Sequence, residues 1–364
     1  MKPTAQKLLV EVAAFAASQA AFYFLFKWAL SSLDPSKASA KAAKGRGKKV
    51  LGRLGASDIQ LSEHEQIIAS EVILPEEMNV KFKDIGGLDS IIDDLRETVI
   101  YPLRLPHLFD SAKRFGIPKG VLLHGPPGCG KTLLAKSLAK EAQATFINIK
   151  PSILQDKYFG ESNKLVSALF SVATKLQPAI IFIDEIDSFM RERSKMDHEV
   201  SATIKAEFMS CWDGLTTDEN SRIIVLGCTN RIHDIDSAIL RRMPKRFAIN
   251  LPNANQRQAI LNLLLEDVNH ELGSDFDNLV RMTEGSSGSE LRDLCRDACM
   301  VPVREIMKTL NVDDSDDSDD KYLKAVGDVS MTPRPVTLAD FISTNRLVPT
   351  FHFDSGSLPI EVVD

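Results

Sequence analysis

At 364 residues the chain has room for about two domains, and 44 % hydrophobic with 26 % charged residues is the composition of an ordinary globular protein. A net charge of −6 argues against any general attraction to nucleic acid. The five cysteines, at 129, 211, 228, 295 and 299, are scattered and odd in number, and only Cys295 and Cys299 are close, at the spacing of helix neighbours. A reducing compartment is the simpler reading.

Residues 8–33 are nearly all apolar and about long enough to cross a bilayer as one helix. Glu11, Ser18, Gln19 and Lys27 dilute the run, so a cleaved signal or transit peptide and a buried or amphipathic helix stand beside the reading as a membrane anchor. Lys37, Lys41, Lys44, Arg46, Lys48, Lys49 and Arg53 follow, seven bases with no acid between residues 35 and 57. The positive-inside rule keeps that flank in the cytosol and puts the short N-terminus across the membrane. The same Ala/Gly/Lys composition makes a flexible tether, and a short, moderately hydrophobic anchor with a basic flank suits an organelle outer membrane.

From residue 58 the pattern changes to a short amphipathic helix behind a capping residue. His64-Glu65-Gln66-Ile67-Ile68 has the start of a zinc-protease motif but places Ile68 where the second histidine must be, so no such metal site exists. Phe82-Lys83-Asp84-Ile85-Gly86-Gly87-Leu88 comes next, then a helix over 91–99 ending at Tyr101-Pro102.

The centre of the chain is Gly125-Pro126-Pro127-Gly128-Cys129-Gly130-Lys131-Thr132, preceded by the apolar run Val121-Leu122-Leu123. The spacing fits G-x-x-x-x-G-K-[ST] between a strand and a helix. Its glycines let backbone N–H groups turn inward on phosphate oxygens, Lys131 reaches the outer phosphates, and Thr132 can hold Mg²⁺.

Apolar strands and helices then alternate: a strand over 145–149, a helix over 161–176, a strand over 179–183, a helix from about 199 to 210 and a strand over 222–228. Such alternation predicts a parallel sheet with helices on both faces. The buried strand Ala179-Ile180-Ile181-Phe182-Ile183 ends in Asp184-Glu185, at the end of the sheet where open α/β folds place ligands. Asp184 is suited to Mg²⁺ through water and Glu185 to orienting an attacking water; in isolation the pair would be helix-capping acids. Asn230 ends the next strand, where an amide can sit between the carboxylates and a γ-phosphate, although alone it would be an ordinary turn residue. Leu240-Arg241-Arg242-Met243-Pro244-Lys245-Arg246-Phe247 concentrates four bases, either a solvated face or arginines given in trans to a neighbour's γ-phosphate.

Leu251-Pro252 marks a boundary, after which the pattern is helical: 257–266, 276–282, and 289–310 with a break expected before Pro302. Residues 311–320 hold six aspartates and two serines and are expected to be a disordered loop. A last short helix is expected over 337–345.

Taken together, these motifs resemble the AAA ATPases over residues 80–310, in a P-loop parallel sheet sandwiched by helices, followed by a small α-helical lid, with an N-terminal transmembrane helix. The paired arginines followed by Lys-Arg resemble the meiotic clade, and an N-terminal anchor joined to a single AAA module resembles the organelle outer-membrane protein dislocases. The resemblance implies a homo-hexamer with ATP and Mg²⁺ between subunits and substrate polypeptide threaded through the centre. It makes Gly125 to Thr132 the Walker A loop, Asp184 and Glu185 the Walker B acids, Asn230 sensor 1, and Arg241 and Arg242 the arginine fingers. Asp84, Ile85 and Gly86 would lie by the adenine and Gly288-Ser289 would close over it. Asp213-Gly214-Leu215 is similar to the intersubunit signalling segment, Lys157-Tyr158-Phe159-Gly160 to the first pore loop, and residues 190–199, with His198, to the second. The implied division is an anchor (1–33), a basic flexible linker (34–57), a linker domain (58–80), a large subdomain (81–250), a small helical subdomain (251–346) and a tail (347–364).

The function expected from this resemblance is ATP-driven extraction of mislocalised tail-anchored proteins from the outer mitochondrial and peroxisomal membranes, with lipid contact through residues 8–33 and no nucleic-acid partner. The alternative is a remodeller of cytosolic filaments, of the microtubule-severing or ESCRT-disassembling type, for which residues 37–53 are the one basic candidate segment. A third, a membrane scaffold with vestigial nucleotide binding, is opposed by intact Lys131, Glu185 and Arg241.

Overall fold

The computed structural model describes residues 59–109, 118–154, 161–190, 199–217, 221–309 and 332–344, with the single positions 19 and 52. Apart from those two positions, the expected anchor (8–33) and basic linker (34–57) lie outside them, as do the first pore-loop residues Lys157, Tyr158, Phe159 and Gly160, His198, the acidic stretch 311–320 and the tail. No helix among the described residues is long and apolar enough to cross a membrane.

The chain opens with α1 (Glu63–Ala69) and the two-residue strand β1 (Val72–Ile73). Helix α2 (Asp89–Leu95) passes through a π turn (Arg96–Ile100) into α3 (Tyr101–Arg104). The sheet-bearing half then runs β2 (Gly120–His124), α4 (Lys131–Ala142), β3 (Thr145–Ile149), α5 (Pro151–Leu154), α6 (Glu161–Lys175), β4 (Ala179–Ile183), α7 (Ile186–Met190), α8 (Glu199–Thr217), β5 (Ile223–Thr229), α9 (Ser237–Arg242) and β6 (Lys245–Ala248). The helical half is α10 (Ala254–Leu265), α11 (Phe276–Met282), α12 (Gly288–Thr309) and α13 (Leu338–Ser343).

Six strands form one sheet in the order β1-β3-β4-β5-β2-β6, with β1 antiparallel at one edge and the rest parallel. β4 and β5 are buried along their whole length, as a central parallel strand covered on both faces must be. Period-2 alternation splits their side chains between two cores. Leu122, Ile147, Ile181 and Val225 join α1, α6, α8 and α9 on one side, and Val121, Phe146, Phe182 and Leu226 join α2, α3 and α4 on the other. A separate core of Leu261, Leu265, Leu279, Leu291, Leu294 and Phe341 holds the helical half together.

Three sequence expectations are corrected. The helix expected to end at Tyr101-Pro102 continues to Arg104. The π turn before it, closed by the Tyr101 N–H on the Arg96 carbonyl, makes room for a proline with no N–H and a bulky ring. The break before Pro302 does not occur: α12 runs through Pro302, which is buried. A mid-helix proline costs about 3 kcal/mol, and the burial of Leu291, Leu294, Cys295 and Ala298 on the same helix offsets it. Helix α8 extends to Thr217, so Asp213, Gly214 and Leu215 are helical.

The C-terminal helix is fixed by Arg334, whose guanidinium forks onto Glu305 of α12 (2.7 and 2.8 Å) and onto the buried Asp340 of α13 (2.7 and 2.8 Å). Asp340 also accepts from the Thr337 N–H, closing the helix cap.

A second buried carboxylate fixes the other end. Glu65 closes a capping box with Ser62 and, from inside the α1–α6 contact, accepts from Lys175 Nζ (2.5 Å) and Ser171 Oγ (2.6 Å). Burial pushes the Glu65 carboxyl up, but the hydrogen bonds from Lys175, Ser171 and the Ser62 N–H outweigh it and hold it at about 2. The folded value is depressed, so this contribution is fully present above the ordinary 4.5 and is lost as pH falls through about 2. It is worth at most about 3 kcal/mol, and less because Lys175 is 33 % exposed. Glu65→Gln is therefore expected to lower the melting temperature by several degrees at pH 7, with a difference from wild type that shrinks between pH 4.5 and 2. A constant difference across that range in thermal melts would contradict the assignment.

Candidate active site

The carboxyl ends of β2, β4 and β5 meet the helical half across one cleft of about 400 Å³. Its floor is the loop between β2 and α4. The Gly125 N–H donates to the Thr229 carbonyl (3.3 Å) and the Ile249 N–H to the His124 carbonyl (2.7 Å), so the loop is pinned to the ends of both flanking strands. Gly125, Gly128 and Gly130 have φ of 145°, 76° and 91°, the left-handed region that the turn requires. A Cβ at Gly125 would lie 2.0 Å from the Ile249 oxygen and one at Gly128 2.1 Å from Ser289 Oγ.

Lys131, the first residue of α4, is buried and donates to the carbonyls of Gly125 (2.8 Å) and Pro126 (2.6 Å). Burial pulls its ammonium pKa down. The charge thus rests on carbonyl dipoles at a helix N-terminus, where an anion is the natural partner. Thr132 Oγ1 donates to Asp184 Oδ2 (2.8 Å), joining the phosphate loop to the end of β4. These are hard oxygen donors of the kind that suit Mg²⁺. Among the described residues no group of three or more His, Cys, Asp or Glu side chains gathers as a metal cluster.

Glu185 is exposed with φ of 50°, uncommon for a residue with a side chain. Such a conformation costs of order 1 kcal/mol and collects at functional sites. It turns the chain sharply after Asp184, and Asp184 Oδ1 accepts from the Glu185 N–H (3.0 Å). Asn230 is exposed at the mouth of β5 and lines the same cleft. Just before it Thr229 Oγ1 donates to Asp187 Oδ1 (2.7 Å) and accepts from the Arg231 N–H (2.8 Å), which holds that strand end against α7.

The opposite wall comes from 84–88 and the helical half. Asp84, Ile85 and Gly86 line the cleft with Ile260, Leu263 and Leu264 of α10, giving it an apolar end. Gly86 packs so close that a Cβ would lie 2.9 Å from the Ile260 nitrogen. Gln256 Nε2 donates to the Gly87 carbonyl (2.6 Å) and also closes a capping box with Asn253. Gly288 and Ser289 begin α12 directly over the phosphate loop, the Ser289 N–H donating to the Gly128 carbonyl (3.0 Å).

One cleft therefore collects Asp84, Ile85, Gly86, Pro127, Gly128, Cys129, Gly130, Lys131, Thr132, Asp184, Glu185, Asn230, Gly288 and Ser289. Gly125 and Pro126 serve it through their carbonyls, on which Lys131 rests. Arg241, Arg242, Asp213 and Gly214 do not line it. Arg242 is engaged with Asp213, whereas Arg241 is exposed and shows no hydrogen bond or ion pair among the described residues. Gln256, Asp187 and Arg292 were not singled out from the sequence. For Gln256 the Asn253-x-x-Gln256 capping pattern was a usable signal; the other two become visible only once the walls assemble.

A strand-loop-helix phosphate cradle beneath a helical lid, with paired carboxylates opposite, defines a P-loop nucleoside triphosphatase. Residues 121–251 match the ATPase family associated with various cellular activities (AAA), and residues 273–319 match the AAA+ lid domain. The outer mitochondrial transmembrane helix translocase of Danio rerio is 51 % identical over 285 residues, 78 % of this chain and 79 % of that protein. That of Homo sapiens is 50 % identical over 297 residues, 82 % of each. The solved FIGL-1 AAA domain in complex with ADP superposes with a TM-score of 0.64 at 36 % identity, covering 81 % of this chain and 94 % of that one. The chain therefore belongs to the AAA ATPases, in the family of the outer mitochondrial transmembrane helix translocases, with ATP as its nucleotide.

The lid contact gives a direct test. Gly128→Ala forces a side chain into a left-handed position, at a cost of about 1–2 kcal/mol, and pushes against Ser289. A fluorescent-nucleotide titration is expected to show roughly tenfold weaker ATP binding; unchanged affinity would mean the lid does not depend on this contact.

Proposed function

We propose that the chain is a membrane-anchored ATPase that pulls mislocalised tail-anchored proteins out of the outer mitochondrial membrane, and the peroxisomal membrane, by threading them through a homo-hexamer. The observation that carries this reading is the likeness at about half identity, over some four-fifths of the chain, to proteins named outer mitochondrial transmembrane helix translocases. The apolar stretch 8–33 with its basic flank is read as the single-pass anchor, N-terminus across the membrane and ATPase in the cytosol.

In this reading the backbone N–H groups of the phosphate loop and Lys131 hold the β- and γ-phosphates, and Lys131 exchanges its two carbonyl acceptors for them. Thr132 and, through water, Asp184 would hold Mg²⁺, which would supply positive charge against that developing on the transferred phosphoryl. Glu185 orients the attacking water and Asn230 positions it against the γ-phosphate. Asp84, Ile85 and Gly86 face the adenine at the apolar end, with Gly288-Ser289 closing the lid. Arg241, exposed and outside its own cleft, is the arginine offered to a neighbour's γ-phosphate. Lys157, Tyr158, Phe159, Gly160 and His198 are assigned to the loops that grip the client, the aromatics burying whatever side chains pass.

Reconstitution of the full chain with a tail-anchored protein in liposomes tests the reading. Extraction is expected with ATP and not with Glu185→Gln, which binds ATP but hydrolyses it at least 100-fold more slowly. Tyr158→Ala with Phe159→Ala is expected to stop extraction while ATPase continues. A wild-type chain that hydrolyses ATP in these liposomes and leaves the client in place would point instead to remodelling of cytosolic filaments.

A further inference from the structure

The side-chain amide of Gln256 is engaged at both of its atoms. Oε1 accepts from the Asn253 N–H (2.9 Å) while Asn253 Oδ1 accepts from the Gln256 N–H (3.0 Å), and Nε2 donates to the Gly87 carbonyl at 2.6 Å, 169 residues away in the chain. An amide accepts only through its oxygen and donates only through its nitrogen, so the two contacts together fix its orientation. The reciprocal pair with Asn253 is a helix cap that a glutamate would close equally well. A glutamate would also be the better partner for the dipole at the start of α10. Ionised, it has no proton to give to Gly87, so the amide at position 256 answers to the contact with Gly87 rather than to the cap.

Both sides of that bond are shaped for it. Gly87 has φ of 75°, and a Cβ there would lie 2.7 Å from the Gln256 Cβ, so the approach needs glycine. Behind Gln256 the buried Arg257 donates to the Pro252 carbonyl (3.0 Å) and twice to the Val280 carbonyl of α11 (3.0 and 3.3 Å), which holds the first turn of α10 within the helical half. Among the described residues no other hydrogen bond joins 84–88 to the helical half. The phosphate loop is pinned separately, to Thr229 and through its own lysine, so the far end of the cleft does not hang on this contact.

We propose that Gln256 is a positioning residue for the base of the nucleotide: its amide holds 84–88 against α10 at the spacing a purine ring fills, so the helical half sets the width of the base pocket. This rests on the reading of Asp84, Ile85 and Gly86 as the wall that faces the adenine.

Displacement of a fluorescent nucleotide from the full chain, by ATP and separately by tripolyphosphate, reads the two ends of the cleft apart, since tripolyphosphate carries the three phosphates and no base. Gln256→Glu keeps the cap and loses the donor. It is expected to weaken ATP about tenfold, the worth of one hydrogen bond to a carbonyl left unmet, with tripolyphosphate binding and melting temperature close to wild type. Asn253→Ala is the converse: it loses the side-chain half of the cap, lowering the melting temperature by a few degrees, and leaves both affinities unchanged. Wild-type ATP affinity in Gln256→Glu, or a loss that tripolyphosphate shares equally, would overturn the assignment. Ile85→Ala tests the wall itself and is expected to weaken ATP while sparing tripolyphosphate. An unaltered ratio of the two affinities in that variant would remove 84–86 as the base-facing wall, and the role of Gln256 with it.

Discussion

Gly125 is the point on which the nucleotide site closes. It leaves β2 with φ of 145° against the Ile249 carbonyl, at a separation that no side chain fits, while its own N–H is taken by Thr229. Those contacts stitch the start of the phosphate loop to the ends of β5 and of the segment after β6. The loop can then fold back with Gly128 and Gly130 left-handed, and α4 starts with its N–H groups facing the cleft. Parallel strands ending together, a glycine-dependent close approach and a helix dipole thus converge on one anion site. Further close approaches, at Gly86 and Gly128, let the lid and the 84–88 segment sit directly on it.

The same closeness ties nucleotide to lid. Ser289 of α12 bonds the phosphate loop through its N–H, while Gln256 and Ile260 of α10 meet Gly87 and Gly86, so two helices of the helical half touch two edges of the cleft. Glu65 and Arg334 secure the ends of the described chain in another way, each a carboxylate–cation contact carrying a helix cap as well. Such pairs set geometry more than they add stability.

How much of this was legible in the sequence follows from the range of the interactions. The buried run 179–183 announced its strand because a strand covered on both faces is apolar throughout. The phosphate loop was readable because its chemistry is local. Glu185's left-handed turn was not, since glutamate carries no preference for it and the surroundings impose it. Pro302 misled because the burial of Leu291, Leu294, Cys295 and Ala298 on the same helix outweighs a local rule. Arg241 and Arg242 read as equivalent in the sequence, yet neighbouring residues on a helix point about 100° apart. One therefore faces α8 and the other faces outward. The missing half of that information, Asp213, lies 29 residues away.

We propose that each ATP site is finished by an arginine from the next subunit. Mixing full-length Arg241→Ala chains with Glu185→Gln chains tests it most directly, since each population is inactive alone for a different reason. If the site is shared, mixed assemblies place an intact Arg241 beside an intact Glu185, and ATPase activity reappears on mixing. A mixture no more active than the sum of its parts, although shown by crosslinking to co-assemble, would contradict the account.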